Sequence, residues 1–83
     1  MYTVYVIRST VANYLYVGLT NSIERRLKQH QGGKERTTRS YRPFKLVHTE
    51  TFEKRIHARE REKQLKSGSG KEWLKDKISK NSN

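Results

Sequence analysis

The stretch Tyr16 to His30, YVGLTNSIERRLKQH, decides the fold, because a short apolar run meets a glycine here and continues into a basic helix. The first residues are strand formers, and Gly18 permits a bend or a close approach of the backbone. Asn21, with Glu24 three residues later, resembles a capping box. The stretch therefore predicts a strand that ends one residue after the glycine and a helix from about Ser22 to His30.

One face of this predicted helix brings a cation and a histidine beside the core. At about 100° per residue, Ile23 and Leu27 define the buried stripe. Arg26 and His30 are four residues apart and lie about 40–60° to one side of that stripe. Either Arg26 extends its charge to water while His30 satisfies the C-terminal helix dipole, or the two residues form a site beside the strand that carries Tyr16.

The length and composition predict one intracellular domain. A chain of 83 residues buries a modest core, and it contains no cysteine for a disulfide framework or a thiolate metal site. No apolar run approaches the length of a membrane span, and Met1 leads directly into strand-like sequence. We therefore expect a cytoplasmic protein, with nucleoid association as an option, and no membrane partner.

The charge of the chain predicts an anionic partner. Lys and Arg number 19 against 8 Asp and Glu, a formal net charge of +11. Like charges repel one another in a compact fold and destabilise it unless an anionic partner compensates them. Nucleic acid is the first candidate for that partner. An anionic membrane suits the chain less, because no segment pairs a broad Phe/Trp/Leu face with a basic one. The net charge alone does not show whether the partner is DNA or RNA, or whether the protein is an enzyme or only a binding protein.

The N-terminal residues predict a β-hairpin that brings two phenols together. Strand patterns cover Tyr2–Ile7 and Tyr14–Leu19. With Ser9–Ala12 as a four-residue loop, Tyr5 lies directly opposite Tyr16 on one face of the sheet. The two tyrosines are either packed for stability or part of a site.

Residues 31–43, QGGKERTTRSYRP, have two adjacent glycines and no periodicity, which predicts a mobile loop. Cations around an aromatic residue suit a phosphate backbone and an unstacked base. The alternative is a solvated loop that contacts nothing. The candidate nucleic-acid-binding residues are Lys34, Arg36, Arg39, Tyr41 and Arg42.

The segment Phe44–Phe52, FKLVHTETF, predicts the third strand. Strict alternation places Phe44, Leu46 and His48 on one face of that strand. We interpret His48 as a half-buried strand residue, because the three histidines of the chain lack the spacing of a zinc site.

The second predicted helix, about Lys54–Lys66, carries one carboxylate on its core-facing side. Glu62 follows Ala58 by four residues and precedes Leu65 by three, which places it in the narrow apolar stripe, whereas Glu60 is expected to be exposed. A carboxylate in that position is costly unless it meets a cation or a metal. Glu62 is therefore either half of a buried ion pair with an arginine or part of a site.

The last segment predicts a turn, a short helix and a tail. Ser67–Lys71 is interpreted as an interhelical turn, because it lacks the first glycine of a phosphate-binding loop. Glu72–Ile78 predicts a short helix whose Trp73, Leu74 and Ile78 pack on the sheet. The sequence thus predicts an α/β (α+β) fold, a three-stranded antiparallel sheet flanked by three helices in the order β-β-α-β-α-α. Residues 1–78 form the domain and residues 79–83 a flexible C-terminal tail.

Taken together, these residues resemble the GIY-YIG nuclease superfamily, in its small single-domain, excision-repair nuclease-like branch. The first signature triplet stands as Thr3-Val4-Tyr5 and the second as Tyr16-Val17-Gly18. Arg26 follows the signature glycine by eight positions, His30 follows that arginine by four, and the AREREKQLK run supplies Glu62. The first triplet lacks its glycine, both triplets have valine for isoleucine, and the auxiliary lysine of some members is absent. The resemblance covers about residues 2 to 78.

The resemblance implies hydrolysis of DNA phosphodiester bonds with one divalent ion, Mg²⁺ or Mn²⁺. In that scheme Glu62 binds the metal, and water and phosphate complete its coordination. Either Tyr5 or Tyr16 is the general base, and nearby cations are expected to lower the pKa of the phenol. Arg26 stabilises the charged transition state, and His30 assists proton transfer or phosphate contact.

Three functions are open on the sequence alone. The first is a metal-dependent DNA endonuclease, linked to DNA repair or processing. The second is a nucleic-acid-binding module that keeps the fold without turnover, for DNA or RNA. The third is a protein-interaction domain that places its basic surface on an acidic partner.

Overall fold

Alternating β-branched and aromatic residues make the first strand of the chain the centre of a small sheet. A computed structural model describes residues 1–81, which form a three-stranded antiparallel sheet of order β2-β1-β3 with three α-helices. This architecture confirms the predicted fold class. The elements are β1 (Tyr2–Ser9), β2 (Leu15–Thr20), α1 (Ile23–Gln31), a short 3₁₀ helix (Arg39–Tyr41), β3 (Phe44–Phe52), α2 (Arg55–Lys66) and α3 (Gly68–Asn81).

Both faces of the sheet are covered, so the central strand β1 is buried on each side. On one face Val4 and Val6 pack with residues of α2 and α3 such as Ala58 and Leu74. On the other face Tyr5 and Ile7 pack with Phe44 and with the apolar residues of α1. Within the described residues, no helix has the length and apolar character needed to cross a bilayer.

The hairpin pairing differs from the predicted one by two residues. Tyr5 lies opposite Gly18, and Ile7 lies opposite Tyr16. The loop comprises residues 10–13, because the Ser9 N–H donates to the Tyr14 carbonyl and so extends the ladder by one pair. A shift of two residues leaves every side chain on its predicted face. Tyr5 and Tyr16 are therefore diagonal neighbours on one face, where the prediction had them directly opposite.

A bulge in the pairing of β3 changes which of its residues share a face. Ile7 pairs with Leu46 but Val6 pairs with His48, so Val47 is an extra residue in the ladder. Leu46 consequently lies on the face of α1, and His48 lies on the face of α2 and α3. The prediction that both share one face was wrong, because strict alternation assumes an unbroken ladder.

The helix α1 begins without the predicted capping box. Its N-cap residue is Ser22, which makes no side-chain capping bond. The side chain of Asn21 accepts a hydrogen bond from Arg25 at 3.4 Å. The Thr20 hydroxyl accepts the Ser22 N–H at 3.1 Å, so the preceding strand holds the start of the helix.

The predicted turn after α2 forms the first turn of α3. Only Ser67 separates the two helices, and its hydroxyl accepts the Gly70 N–H at 3.2 Å. A Cβ at Gly70 would overlap the Gln64 carbonyl, so the glycine allows α3 to begin directly against the end of α2. A serine cap and this close approach explain why a Gly/Ser-rich segment is helical here.

The helix α3 also extends further than predicted. It continues to Asn81, so residues 79–81, assigned to a flexible tail, are helical, while residues 82–83 lie outside the described part of the chain. Leu74 is fully buried as predicted, but Trp73 is 43 % exposed. Trp73 contacts the sheet only at its margin, through the ring of His48, because adjacent residues of a helix point about 100° apart and only Leu74 of the two can face the core.

Candidate active site

The centre of the candidate site is a buried contact between a strand and a helix. Tyr5 of β1 and His30 of α1 are both fully buried, and the Tyr5 Oη lies 2.8 Å from His30 Nε2. Burial, and the nearby Arg26 guanidinium, lower the pKa of His30 below its ordinary value. His30 is therefore neutral at pH 7, which excludes the interpretation that it is a solvated cation at the helix terminus.

The signature glycine makes room for the buried phenol. Gly18 lies directly opposite Tyr5 in the ladder, and a Cβ at Gly18 would overlap the Tyr5 Oη and ring. The ring of Tyr5 can lie across the neighbouring strand only because position 18 has no side chain.

We expect Gly18→Ala to destabilise the protein, because the new methyl group must displace the Tyr5 phenol from His30. Overpacking of this kind lowers the free energy of unfolding by about 1–3 kcal/mol. Chemical denaturation measures the loss. The matched control is Gly68→Ala, since a Cβ at Gly68 meets nothing within 4 Å. Equal unfolding free energies for the two variants would show that position 18 does not constrain Tyr5.

Arg26 links the buried phenol to the surface of the site. Its Nε donates to Tyr5 Oη at 3.3 Å and its Nη1 to Gln29 Oε1 at 2.9 Å. Its Nη2 forms an ion pair with Glu35 Oε2 at 2.8 Å. All three nitrogens of the guanidinium thus have a hydrogen-bond partner. The Arg26 side chain is 29 % exposed.

The hydrogen bonds through these residues have a consistent direction. Arg26 Nε donates to Tyr5 Oη, and the two ring nitrogens of His30 each lie 2.8 Å from a hydroxyl, Nε2 from Tyr5 and Nδ1 from Thr38. Because the Thr38 hydroxyl donates elsewhere, we assign Nδ1 as the donor to Thr38 and Nε2 as the acceptor from Tyr5. The Thr38 hydroxyl in turn points at the Glu35 carbonyl at 3.5 Å. Neutral His30 supports this assignment, since one ring nitrogen donates and the other accepts.

The pKa of Tyr5 moves in the direction opposite to the predicted one. Burial raises the pKa of Tyr5 to about 12, and the hydrogen bond from Arg26 offsets only part of that effect. Arg26 acts in the expected direction on this phenol, but burial outweighs it and the net pKa of Tyr5 is raised. Tyr5 is a protonated donor at neutral pH.

Tyr16 occupies a different position beside the same residues. Its ring lies edge-on to His30 at 4.9 Å between centroids and 6.2 Å from the ring of Tyr5. It is half-buried, whereas Tyr5 has no exposed surface. Of the two phenols, Tyr16 is the one that reaches solvent.

Glu62 faces the core side of α2, as predicted. The residue is 8 % exposed, whereas Glu60 is exposed. Its carboxylate pairs with Lys66 Nζ at 3.2 Å and lies 3.9 Å from Arg59 Nη1. Each carboxylate oxygen therefore has a cationic neighbour on the same helix.

Glu62 and Arg26 line one open cleft, although their helices cover opposite faces of the sheet. The cleft has a volume of about 610 Å³ and passes the end of the edge strand β2, where α1 and α2 both approach. Arg25, Arg55 and Arg59 line it as well, and Glu62 is the only carboxylate among its described lining residues. The cleft thus joins one acid to a set of arginines, and Arg26 connects it to Tyr5 and His30.

The predicted mobile loop is attached to this site. Thr38 is fully buried against His30, and Glu35 pairs with Arg26. Tyr41 is half-buried and stacked on Tyr14 at 3.9 Å between centroids, so one face of its ring is already covered. The predicted loop cations are all exposed: Lys34, Arg36, Arg39 and Arg42.

Sequence reasoning missed the residues that hold Arg26 and His30 in place, namely Gln29, Glu35 and Thr38. One signal was available for Glu35, the single acidic residue within a run of four loop cations. No local pattern marks Thr38, because its role depends on the fold of the loop over the end of α1.

The comparison with known proteins agrees with this geometry. The sequence model of the GIY-YIG catalytic domain matches residues 1–76, and the chain belongs to the GIY-YIG family.

Within that family the chain is similar to UPF0213 proteins. It is 42 % identical over 65 residues to one from Natronomonas pharaonis, covering 77 % of this chain and 75 % of the relative. It is 39 % identical over 69 residues to one from Bacillus velezensis, covering 78 % and 70 %. The solution NMR structure of a UPF0213 protein from Bacillus halodurans is similar with a TM-score of 0.56 and 34 % identity, covering 92 % of this chain and 84 % of that one.

Proposed function

We propose that this protein is a divalent-metal-dependent DNA endonuclease that hydrolyses phosphodiester bonds, and that it acts in DNA repair or processing in the cytoplasm. The observation that carries the proposal is the shared cleft of Glu62 and Arg26. A lone carboxylate among arginines suits a scissile phosphate with its metal ion, because the arginines bind the phosphate and the acid binds the ion.

The residues of the cleft fit a metal ion that brings most of its own ligands. The described residues contain no group of three or more His, Cys, Asp or Glu side chains that could hold an ion by themselves. Mg²⁺ is commonly bound through one or two carboxylates, several waters and a substrate phosphate, and Mn²⁺ accepts the same oxygen ligands. Glu62 would hold the ion, which supplies positive charge at the phosphate oxygens and the leaving group.

Glu62 must release its present partners to take this role. Lys66 and Arg59 are 52 % and 58 % exposed at their side chains, so both can turn to solvent or to the DNA backbone at little cost. The ion pairs with these two residues therefore do not prevent Glu62 from taking a metal ion.

Arg26 is the residue we assign to the phosphate. Its guanidinium is oriented by Tyr5 at Nε and by Gln29 at Nη1, and the bond to Glu35 occupies Nη2. A phosphate oxygen can replace the Glu35 carboxylate at that nitrogen, because both are anionic oxygen acceptors. Fixed donors of this kind stabilise charge that develops in the transition state.

The two phenols receive different roles in this proposal. Tyr5 is buried and its pKa is about 12, so we assign it to the positioning of Arg26 and His30. Tyr16 reaches solvent beside these residues and also interacts with Arg26, so we assign it to the attacking water. To take the proton of the attacking water, Tyr16 must first release its own proton to solvent. The phenolate then lies beside the Arg26 guanidinium and becomes a neutral phenol as the water loses its proton.

A second candidate function is a nucleic-acid-binding module without turnover. It is favoured by the ion pairs that engage both Glu62 and Arg26, and by the absence of a preformed metal-ligand cluster in the described residues. This candidate predicts salt-dependent DNA or RNA binding and no cleavage with any metal.

The test of the proposed function is a cleavage assay on a panel of supercoiled, linear, nicked, flapped and single-stranded DNAs. Each substrate is incubated with Mg²⁺, with Mn²⁺ and with a chelator. We expect metal-dependent nicking that the chelator abolishes. Binding without cleavage of any substrate in either metal would select the second candidate.

We expect the stability of the protein to fall on acidification because of His30. The pKa of His30 in the folded protein lies below its unfolded value of about 6.5, so the unfolded chain binds more protons between the two values. The contribution of His30 is fully present above about pH 6.5 and is lost as the pH falls through the folded-state pKa. Cleavage by the folded protein should decrease only at the lower end of this range, where His30 of the folded protein gains its proton and no longer accepts from Tyr5.

Denaturant unfolding over a pH series measures this dependence. The variant His30→Gln should show a shallower decrease below pH 6.5 than the wild type, and the exposed His57→Gln should keep the wild-type decrease. NMR of the wild-type ring should show titration of His30 below the ordinary histidine value. Titration at or above that value contradicts the assignment of a neutral, hydrogen-bonded ring.

A further inference from the structure

A second basic surface lies at β3 and α3, apart from the cleft. Its centre is Trp73, the only tryptophan of the chain, with 43 % of its surface exposed. The guanidinium carbon of Arg61 and the ammonium of Lys77 each lie 5.0 Å from the centre of its ring. None of these three residues lines the cleft. An exposed aromatic ring with two cations beside it is the pattern that binds an unstacked base and its phosphates.

The position of Arg61 is set by the sheet. Glu50 of β3 accepts from Arg61 Nε at 3.0 and 3.1 Å through its two oxygens, and from His48 at 2.7 Å. The ring of His48 also meets the edge of Trp73 at 5.6 Å between centroids. Trp73 is therefore held by its neighbours in a defined orientation although it is exposed.

Two shallow grooves adjoin Trp73 and its cations. One, of about 280 Å³, is lined by Arg61, Trp73 and the junction of α2 and α3. The other, of about 220 Å³, is lined by Arg8, Lys45 and Lys77 over an apolar floor that includes Leu74. None of its described lining residues is acidic. Three cations above an apolar floor suit a sugar-phosphate backbone with bases turned inward.

We propose that this surface, defined by Arg8, Lys45, Arg61, Trp73 and Lys77, is a second binding site for single-stranded nucleic acid. One unpaired base stacks on Trp73 and displaces Arg61 or Lys77 from the ring, and the displaced cation binds the adjacent phosphate. Duplex DNA is a poorer ligand, because its bases are already stacked on one another. The inference rests on the proposed function only in taking nucleic acid as the partner, and it requires no catalysis.

The experiment uses the fluorescence of Trp73 in the wild-type protein with a chelator present, so that cleavage does not contribute. A labelled single-stranded oligothymidylate is titrated, and its anisotropy reports total binding while the tryptophan reports this surface. We expect quenching that follows the anisotropy and weakens with salt. A hairpin duplex should quench less at equal occupancy.

Two variants locate the binding. Trp73→Ala should weaken single-strand binding about tenfold, since the loss of one aromatic side chain on which a base stacks reduces affinity by about this factor. Lys77→Gln should weaken it more than Lys63→Gln, which removes the same charge from an exposed position on α2.

Three results would overturn the proposal. They are binding by anisotropy with unchanged fluorescence, no binding at low salt, or equal quenching by polyglutamate, which would indicate a general anion surface. Because the assay contains no metal, absence of nuclease activity would leave its outcome unaffected.

Discussion

Under the proposed function, Glu62→Gln is expected to lower metal-dependent DNA cleavage about a thousandfold, because several kcal/mol of transition-state stabilisation would depend on the ion assigned to this carboxylate. Glutamine has the same shape and remains polar, so the packing of α2 against the sheet should be retained. DNA binding should be unchanged or slightly tighter, because the variant removes a negative charge from a cleft lined by arginines.

The matched control for this prediction is Glu60→Gln. It makes the same substitution on the same helix at an exposed position and should cleave at the wild-type rate. Plasmid nicking in Mg²⁺ and in Mn²⁺ measures the rates, and filter binding in chelator measures affinity. Wild-type cleavage by Glu62→Gln would reject the assignment of the metal to this residue.

Arg26→Lys is expected to reduce cleavage about 10²- to 10³-fold, the range found when a fixed donor to a transition-state oxyanion is removed. Lysine keeps the charge, but its single ammonium group cannot bond Tyr5, Gln29 and Glu35 at the separate positions used by Nε, Nη1 and Nη2. The loss should therefore appear in the rate of the chemical step much more than in DNA affinity.

Single-turnover cleavage at saturating protein separates the two effects for Arg26→Lys. Lys28→Arg exchanges the same two residue types at an exposed position of α1 and serves as the control. A variant that loses affinity but cleaves bound DNA at the wild-type rate would show that Arg26 contributes charge alone.

The sequence was sufficient for the order of the elements and for the buried or exposed position of several candidate site residues. Periodicity placed β3 and α2 within a residue of their observed bounds and set Glu62 on the buried side of its helix. It also placed Arg26 and His30 beside the core. These predictions depend on the fixed geometry of one helix or one strand, which neighbouring residues determine.

The predictions that failed depend on contacts between segments distant in the chain. The bulge that separates His48 from Leu46 arises from the pairing of β3 with β1. The first turn of α3 depends on Gly70 meeting the end of α2, and the order of the loop depends on Glu35 and Thr38 reaching Arg26 and His30.

By itself, then, the sequence determined the order of the elements and the buried face of each helix, because hydrophobic period and spacing are local properties. The candidate site residues came from the family resemblance together with that spacing. Only the tertiary structure decided the protonation and reach of those groups. It buried Tyr5 so that its pKa rises to about 12, left Tyr16 open to solvent, and placed Glu62 and Arg26 in one cleft. Burial and charge proximity depend on which segments pack together, and a local pattern does not contain that information.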